Sequence, residues 1–117
     1  MMNILCTDQS ITSFAYAVLT VEDSHSRIQQ YGAVKLDSRR TYFERILSLE
    51  HVLDPLVAEF RIDTFQTEDI QLQRGVTTYR KLSSLLFFLQ YYAFTHSIDF
   101  LRKRQITQWI EKEQKLM

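Results

Sequence analysis

The sequence predicts an α/β domain in which a mixed five-stranded sheet packs against helices. Apolar residues alternate with a period of two in the first part of the chain, which is typical of strands. From Tyr42 onward they recur at helical spacing. The elements follow in the order β-β-β-α-β-α-β-α. This order predicts an antiparallel meander of three strands followed by two parallel strands, each reached through a helical crossover.

The first three strands are predicted from apolar patterning and from the turn that follows the second one. Residues 3–8 are a short apolar run, and residues 12–22 alternate so that Phe14 and Val18 face the same side. The polar stretch EDSHS interrupts the alternation, and the run IQQYGAVKL at 28–36 resumes it. Strands joined by a short polar turn pair antiparallel, which predicts the meander.

A helical region is predicted from residue 42 to residue 60, and Pro55 lies inside it. Because proline lacks an N–H and fits best at a first helical position, Pro55 either kinks one helix or begins a second helix capped by Asp54. A fourth strand is predicted over 62–68, where polar residues make the pattern alternating rather than continuously apolar.

The last three predicted elements are a helix over 75–97, a strand over 98–104 and a helix over 105–117. Thr77 or Thr78 is the expected N-cap of the first of these helices. Its LLFFLQYYAF stretch is apolar on nearly every side, which is more than one core-facing stripe requires. The pattern predicts either a buried central helix or a helix with one face in the core and the other against a partner subunit.

The composition limits the protein class. A length of 117 residues predicts a single domain spanning 1–117. No apolar stretch suits a bilayer span, and no basic region of the kind found in secretory signals precedes the first apolar run. Cys6 is the single cysteine, which excludes an internal disulfide and favours a reducing cytoplasm. The 14 basic and 14 acidic residues balance, so nucleic acid would be held by local basic clusters rather than by bulk charge.

Two acidic residues end predicted strands, and we expect them to form a metal site. Asp8 ends the first apolar run, and Glu68, followed by Asp69, ends the fourth strand. If these strands are parallel neighbours, both carboxylates fall at the rim of the sheet where ligands gather. Two converging carboxylates can share Mg²⁺, a hard cation that prefers oxygen ligands and retains several waters. For Asp8 taken alone, an ordinary turn residue is the plainer interpretation.

Three segments carry a family resemblance: ILCTDQSITSFAYAVL, YGAVKL and FQTEDIQLQRGVTTYRKLSSLLFFL. In this order they resemble the RuvC-like Holliday junction resolvases of the RNase H-like superfamily, especially the short forms of phages and Gram-positive bacteria. Asp8 takes the place of the family's first metal-binding acid and Glu68 that of the second, and Asp69 is able to assist. The resemblance covers nearly the whole chain. It implies an RNase H-like sheet and an endonuclease that uses Mg²⁺, or Mn²⁺, on branched DNA in recombination and repair.

The resemblance also implies where DNA and a partner subunit would bind. Residues after the second acid would contact phosphates, and Tyr79 would stack on an unpaired base, although core packing is an equal alternative for its ring. These residues are Gln71, Gln73, Arg74, Tyr79, Arg80 and Lys81. A four-way junction presents two symmetry-related cleavage points. The resemblance therefore implies a homodimer, with helix 76–96 as the expected contact.

The sequence departs from the family near its end. The family carries two further acids, three residues apart, on a last helix, whereas Glu111 and Glu113 are two apart and fall on different faces of the predicted helix. The chain is therefore a shortened form, a fragment, or one that supplies its metal ligands differently. A non-catalytic DNA-binding or dimerisation module is the alternative to a nuclease. A phosphate-handling protein of the actin type is a third hypothesis, but the QSITS loop lacks the glycine that such nucleotide loops need.

Overall fold

The computed structural model describes residues 1–10, 12–68 and 75–103. Within these residues the chain forms strands and helices in the predicted order. They are β1 (Met2–Gln9), β2 (Ser13–Glu22), β3 (His25–Lys35), α1 (Tyr42–Ser48), α2 (Glu50–Phe60), β4 (Thr64–Glu68), α3 (Val76–Thr95) and β5 (Asp99–Lys103). The helix predicted over 105–117 lies outside the described residues.

The five strands form one mixed sheet in the order β3-β2-β1-β4-β5. The central strand β1 pairs antiparallel with β2 and parallel with β4, and β4 pairs parallel with β5. The predicted fold class is therefore confirmed, including the condition on which the metal-site hypothesis depended: the first and fourth strands are parallel neighbours.

The alternation of side chains gives the sheet two different faces. In β1 the side chains of Leu5, Thr7 and Gln9 are buried on one face, which we call the helix face. On the other, which we call the second face, Cys6 is half-buried and Asp8 is exposed. The pairing registers carry this pleat across the neighbouring strands, so the whole sheet is two-sided.

The helices bury their apolar residues against the helix face. Phe65 of β4 and Tyr92 of α3 stack there, with ring centroids 6.0 Å apart. Neither Cys6 nor Asp8 belongs to this core. Its fully buried side chains include Leu5, Phe14, Val18, Leu49, Leu53, Phe65, Leu82, Leu85 and Leu89.

The helical region is divided at Leu49, which ends α1 and precedes α2. Of the two alternatives for Pro55, the second helix that begins there with Asp54 as its cap is therefore wrong. Pro55 fits inside α2 because it falls in the second turn of the helix, where its missing N–H removes a single intrahelical bond. Thr41 caps α1 instead, through a capping box in which the Thr41 and Glu44 side chains each bond to the other residue's backbone N–H.

The start of α3 also differs from the prediction, because its N-cap is Gly75 rather than Thr77 or Thr78. Gly75 has a φ of 92°, a left-handed conformation that favours glycine, so both threonines already lie inside the first turn. At the other end His96 caps the helix, with Nδ1 2.9 Å from the carbonyl oxygen of Tyr92. None of the described helices, α3 included, is long and apolar enough to cross a membrane.

Candidate metal centre and nucleic-acid interface

Asp8 presents its carboxylate on the second face of the sheet, close to the carboxyl end of β1. Its pairing partner on β2 is Ala15, whose small side chain leaves room beside the acid. The Asp8 side chain is exposed, and within the described part of the chain no hydrogen bond or ion pair engages it. An exposed carboxylate without a structural partner is available to a ligand.

The register between β1 and β4 brings Asp8 and Glu68 to the same level of the sheet. Cys6 pairs with Gln66 and Thr7 with Thr67, so the next residues along the two parallel strands are the two acids. Paired neighbouring strands lie about 4.8 Å apart, and the two acids are the first residues beyond the last pair, Thr7 and Thr67. The backbone thus places both acids of the predicted metal site side by side.

The residues at this edge fit a hard divalent cation. Among the residues that the structure describes, no group of three or more His, Cys, Asp or Glu side chains forms a closed metal cage. Mg²⁺ rarely needs one, because proteins commonly hold it through one or two carboxylates together with waters and substrate phosphates. Burial raises the pKa of the Cys6 thiol, which disfavours the thiolate that a soft metal would need. Asp69, the possible third acid, lies outside the described residues.

Of the six residues assigned to DNA, three lie in the described part of α3. Arg80 is exposed, whereas Tyr79 and Lys81 are half-buried. The Lys81 Nζ atom lies 5.7 Å from the centroid of the Tyr42 ring, and the Tyr42 hydroxyl donates to the Lys81 carbonyl at 2.7 Å. Lys81 therefore also has a packing role. The other three, Gln71, Gln73 and Arg74, lie outside the described residues.

The first turns of α3 lie beyond the carboxyl edge of the sheet. Arg102 of β5 pairs with Thr67 at that edge, and its guanidinium donates to Gln90 of α3 at 3.1 Å. From Gln90 back to Tyr79 the helix extends about 16 Å. Because α3 packs on the helix face, its first turns and Asp8 lie at the same end of the sheet but on opposite sides of it.

Two basic residues of β5 lie at the carboxyl edge of the sheet, and they were not among the DNA-binding residues predicted from the sequence. Arg102 is exposed, and the next residue, Lys103, pairs through its backbone with Glu68. The basic run RKR was visible in the sequence. Its position beside the acids depended on the register between β4 and β5, which no local pattern reveals.

The chain resembles known proteins both in sequence and in structure. No protein-family model matches the sequence. Over 77 residues the chain is 27% identical to the crossover junction endodeoxyribonuclease RuvC of Alkaliphilus metalliredigens, a match that covers 66% of this chain and 47% of that protein. The structure of Thermus thermophilus RuvC in complex with a Holliday junction substrate matches with a TM-score of 0.79 and 17% identity, over 91% of this chain and 66% of that one. The chain is RuvC-like in sequence and in fold.

More distant structures share the same RuvC-like fold. The fowlpox virus resolvase, solved with Holliday junction DNA, matches with a TM-score of 0.60 and 10% identity, over 88% of this chain and 62% of its own. The Aquifex aeolicus Ppx/GppA phosphatase matches with a TM-score of 0.52 and 14% identity, over 89% of this chain and 36% of its own. The segment matched to the curated relative amounts to about half of that relative's length.

Proposed function

We propose that this RuvC-like chain is a metal-dependent endonuclease that resolves branched DNA, with four-way junctions as its substrate. The observation that carries the proposal is the exposed carboxylate of Asp8, in register with Glu68 at the carboxyl edge of the central parallel strands. Two solved resolvases of the same fold were captured with Holliday junctions, which supports this substrate class. A cytoplasmic location suits such a substrate.

The proposed roles of the acids follow from their chemistry. Asp8 and Glu68 would hold Mg²⁺, or Mn²⁺ in its place, and Asp69 would assist. When bound, paired divalent ions orient an attacking water and stabilise the leaving oxygen of a phosphodiester. The exposure of Asp8 leaves room for the DNA phosphate that completes such a site.

The DNA is proposed to cross the carboxyl edge of the sheet. Arg80 is exposed on the first turns of α3 and would neutralise a phosphate, while Tyr79 would stack on an unpaired base. Recognition of a junction depends on shape and on backbone contacts more than on base reading, so a local patch suffices in a chain of zero net charge. The remaining proposed contacts are Gln71, Gln73, Arg74 and Lys81.

Cleavage of a labelled four-way junction in Mg²⁺ and in Mn²⁺ tests the proposed function. Asp8→Asn and Glu68→Gln should each lower the cleavage rate ~10³-fold, which corresponds to about 4 kcal/mol of transition-state stabilisation. Glu59→Gln is the matched control, because Glu59 is exposed near the end of α2 and leads into the amino end of β4, away from the proposed site. This control should cleave like the parent protein.

A binding-only protein is the alternative, favoured by the lack of a closed acidic cage among the described residues. It predicts shape-selective binding of the junction with no cleavage in either metal. Failure to bind the junction, together with failure to cut it, would reject both functions and leave the RuvC-like fold intact.

A homodimer through α3 is proposed as the assembly. Phe87, Tyr91 and Phe94 are exposed on α3, and Phe43 and Leu47 of α1 are exposed beside them. Most of these residues line an open groove of about 510 Å³ between the two helices. An exposed apolar surface of this kind marks an interaction site, and a second copy of the chain would match the two symmetry-related cuts of a junction.

Sedimentation of the intact chain tests the dimer. Phe87→Ser combined with Phe94→Ser should shift it to the monomer, because both side chains are more than two-thirds exposed and contribute little to the core. Tyr31→Ser is the control, since Tyr31 is a similarly exposed aromatic residue but belongs to β3. A monomeric parent protein, or a dimer that persists in the double variant, would contradict this interface.

A further inference from the structure

Three of the four buried polar residues in the described part of the chain lie beside the proposed metal centre, and the fourth, Thr64, is at the other end of β4. Thr7, Gln9 and Thr67 are all less than a tenth exposed on the helix face, at the carboxyl ends of β1 and β4. Thr7 and Gln9 flank Asp8, and Thr67 directly precedes Glu68. Apolar residues at these positions would avoid the cost of burying polar atoms. The presence of these three polar side chains therefore calls for an explanation other than core packing.

The three side chains form one small hydrogen-bonded network. The Thr67 hydroxyl donates to the Gln9 side-chain oxygen at 2.9 Å, and the Thr7 hydroxyl lies 3.4 Å from the same oxygen. The stronger bond links β1 to β4 directly. Because the network is buried, each bond is worth more than it would be in water, and loss of one partner leaves a buried group unsatisfied.

This network lies where the backbone pairing between the two strands stops. The last paired residues of β1 and β4 are Thr7 and Thr67, so both acids come after the end of this ladder. Each acid is paired only to the strand on its outer side, Asp8 to Ala15 and Glu68 to the β5 backbone. Within the described residues, the bond between Gln9 and Thr67 is the side-chain link that holds the two strand ends together.

We propose that Gln9 is a positioning residue of the metal centre, which it supports from the opposite face of the sheet. By holding the end of β1 against Thr67, it fixes the separation of Asp8 and Glu68 across the two strands. This inference rests on the proposed function, since it assigns Gln9 a role only through the metal that the two acids share. Gln9 itself would not touch the metal, because its side chain lies on the helix face.

Nuclear magnetic resonance of the full ¹⁵N-labelled chain during a Mn²⁺ titration tests the proposal without relying on activity. Bound Mn²⁺ should broaden the backbone amide signals of Asp8 and Glu68. Both signals should reach half of their full broadening at the same Mn²⁺ concentration, which is called the Mn²⁺ midpoint below. Gln9→Met keeps a side chain of similar length without the acceptor, and Thr67→Val keeps the shape without the donor. Each should raise the Mn²⁺ midpoint roughly 10-fold, as loss of a supporting contact typically does.

Two further variants separate positioning from general stability. Thr67→Ser retains the hydroxyl and should restore the parental midpoint. Thr41→Ala removes the cap of α1 away from this edge, so it should lower the melting temperature and leave the midpoint unchanged. Unchanged midpoints in Gln9→Met and Thr67→Val would overturn the role of Gln9 and leave the proposed metal centre standing. The absence of broadening in the parent protein would instead reject the metal centre, and the role of Gln9 with it.

Discussion

The two faces of the sheet are built from the same strands, yet their side chains have different tasks. On the helix face, Leu5 and Phe65 are buried at the centre of the core. On the second face, the same stretches of strand carry Cys6 and Gln66, which are half-buried, and then the exposed Asp8. The pleat therefore places the core side chains and the proposed metal-binding side chains on opposite faces of the same strands.

Alanine substitutions at neighbouring positions of β4 test this separation most strongly. Phe65→Ala should lower the free energy of unfolding by about 3–5 kcal/mol, because it opens a cavity where Phe65 stacks on Tyr92. Gln66→Ala, one residue further on and on the second face, should cost less than about 1 kcal/mol. Urea unfolding followed by circular dichroism measures both. Similar costs at the two positions would contradict the division between the faces.

Metal binding at the proposed centre should stabilise the protein, and this gain should depend on Asp8 of the second face. At a free Mg²⁺ concentration ten times the dissociation constant, binding adds about 1.4 kcal/mol to the free energy of unfolding. Asp8→Asn should abolish this gain and leave the metal-free stability almost unchanged, because the side chain is exposed. Thermal unfolding with Mg²⁺ and after chelation measures the effect. A Mg²⁺ gain that persists in Asp8→Asn would place the ion elsewhere.

Tyr92 offers a smaller test on the helix face. Its hydroxyl donates to the Asp54 carboxylate, and removal of this bond in Tyr92→Phe should cost about 1 kcal/mol. Burial and, second, the Asp54 carboxylate raise the pKa of the Tyr92 hydroxyl above its usual value near 10. A raised pKa in the folded state means stability that is present below about pH 10 and is lost as the pH rises beyond it.

The difference in stability between the parent protein and Tyr92→Phe should therefore shrink in alkaline solution. Chemical unfolding at pH 8 and near pH 11 measures it, and a difference that grew with pH would contradict the assignment. Tyr42, whose pKa burial also raises, is unchanged in both proteins and does not affect the comparison.

The smallest expected effect concerns the reactivity of Cys6 on the second face. Only the thiolate is alkylated, and burial raises the pKa of this thiol. Iodoacetamide at pH 8.5 should therefore modify the folded protein several-fold more slowly than the urea-unfolded chain. The rate for the folded protein should keep rising at pH values where that of the unfolded chain has levelled off. Equal pH profiles would show that Cys6 is as accessible to water as in the unfolded chain.

Much of the fold was predictable because it follows local periodicity. The alternation in β2 and the helical spacing after Tyr42 gave the order of elements, whereas the parallel pairing of β1 with β4 entered only as a condition of the metal-site hypothesis, which the structure fulfils. The adjacency of Asp8 and Glu68 then followed, because both end parallel neighbouring strands. Once the β1–β4 pairing is known, this part of the site requires no further knowledge of side-chain packing.

Other features depended on contacts that local patterns do not encode. Leu49 divides α1 from α2 within a continuous apolar pattern, while Pro55, where a kink or a second helix was expected, lies inside α2. Gln9 was expected in the QSITS loop, because the first predicted strand ended at Asp8. It is buried because Thr67, distant in sequence, supplies a hydrogen-bond donor.

The hydrogen bond between Gln9 and Thr67 joins residues 58 positions apart, and this has a consequence for the order of folding. The β1–β2–β3 meander can form through short-range hairpin contacts, which close quickly. The pairing of β4 with β1 must wait until the segment between them, which contains α1 and α2, brings the two strands together. Closing such a long loop costs conformational entropy. The two proposed metal-binding acids therefore meet late in folding, so incompletely folded chains contain Asp8 on a formed hairpin but no assembled metal centre.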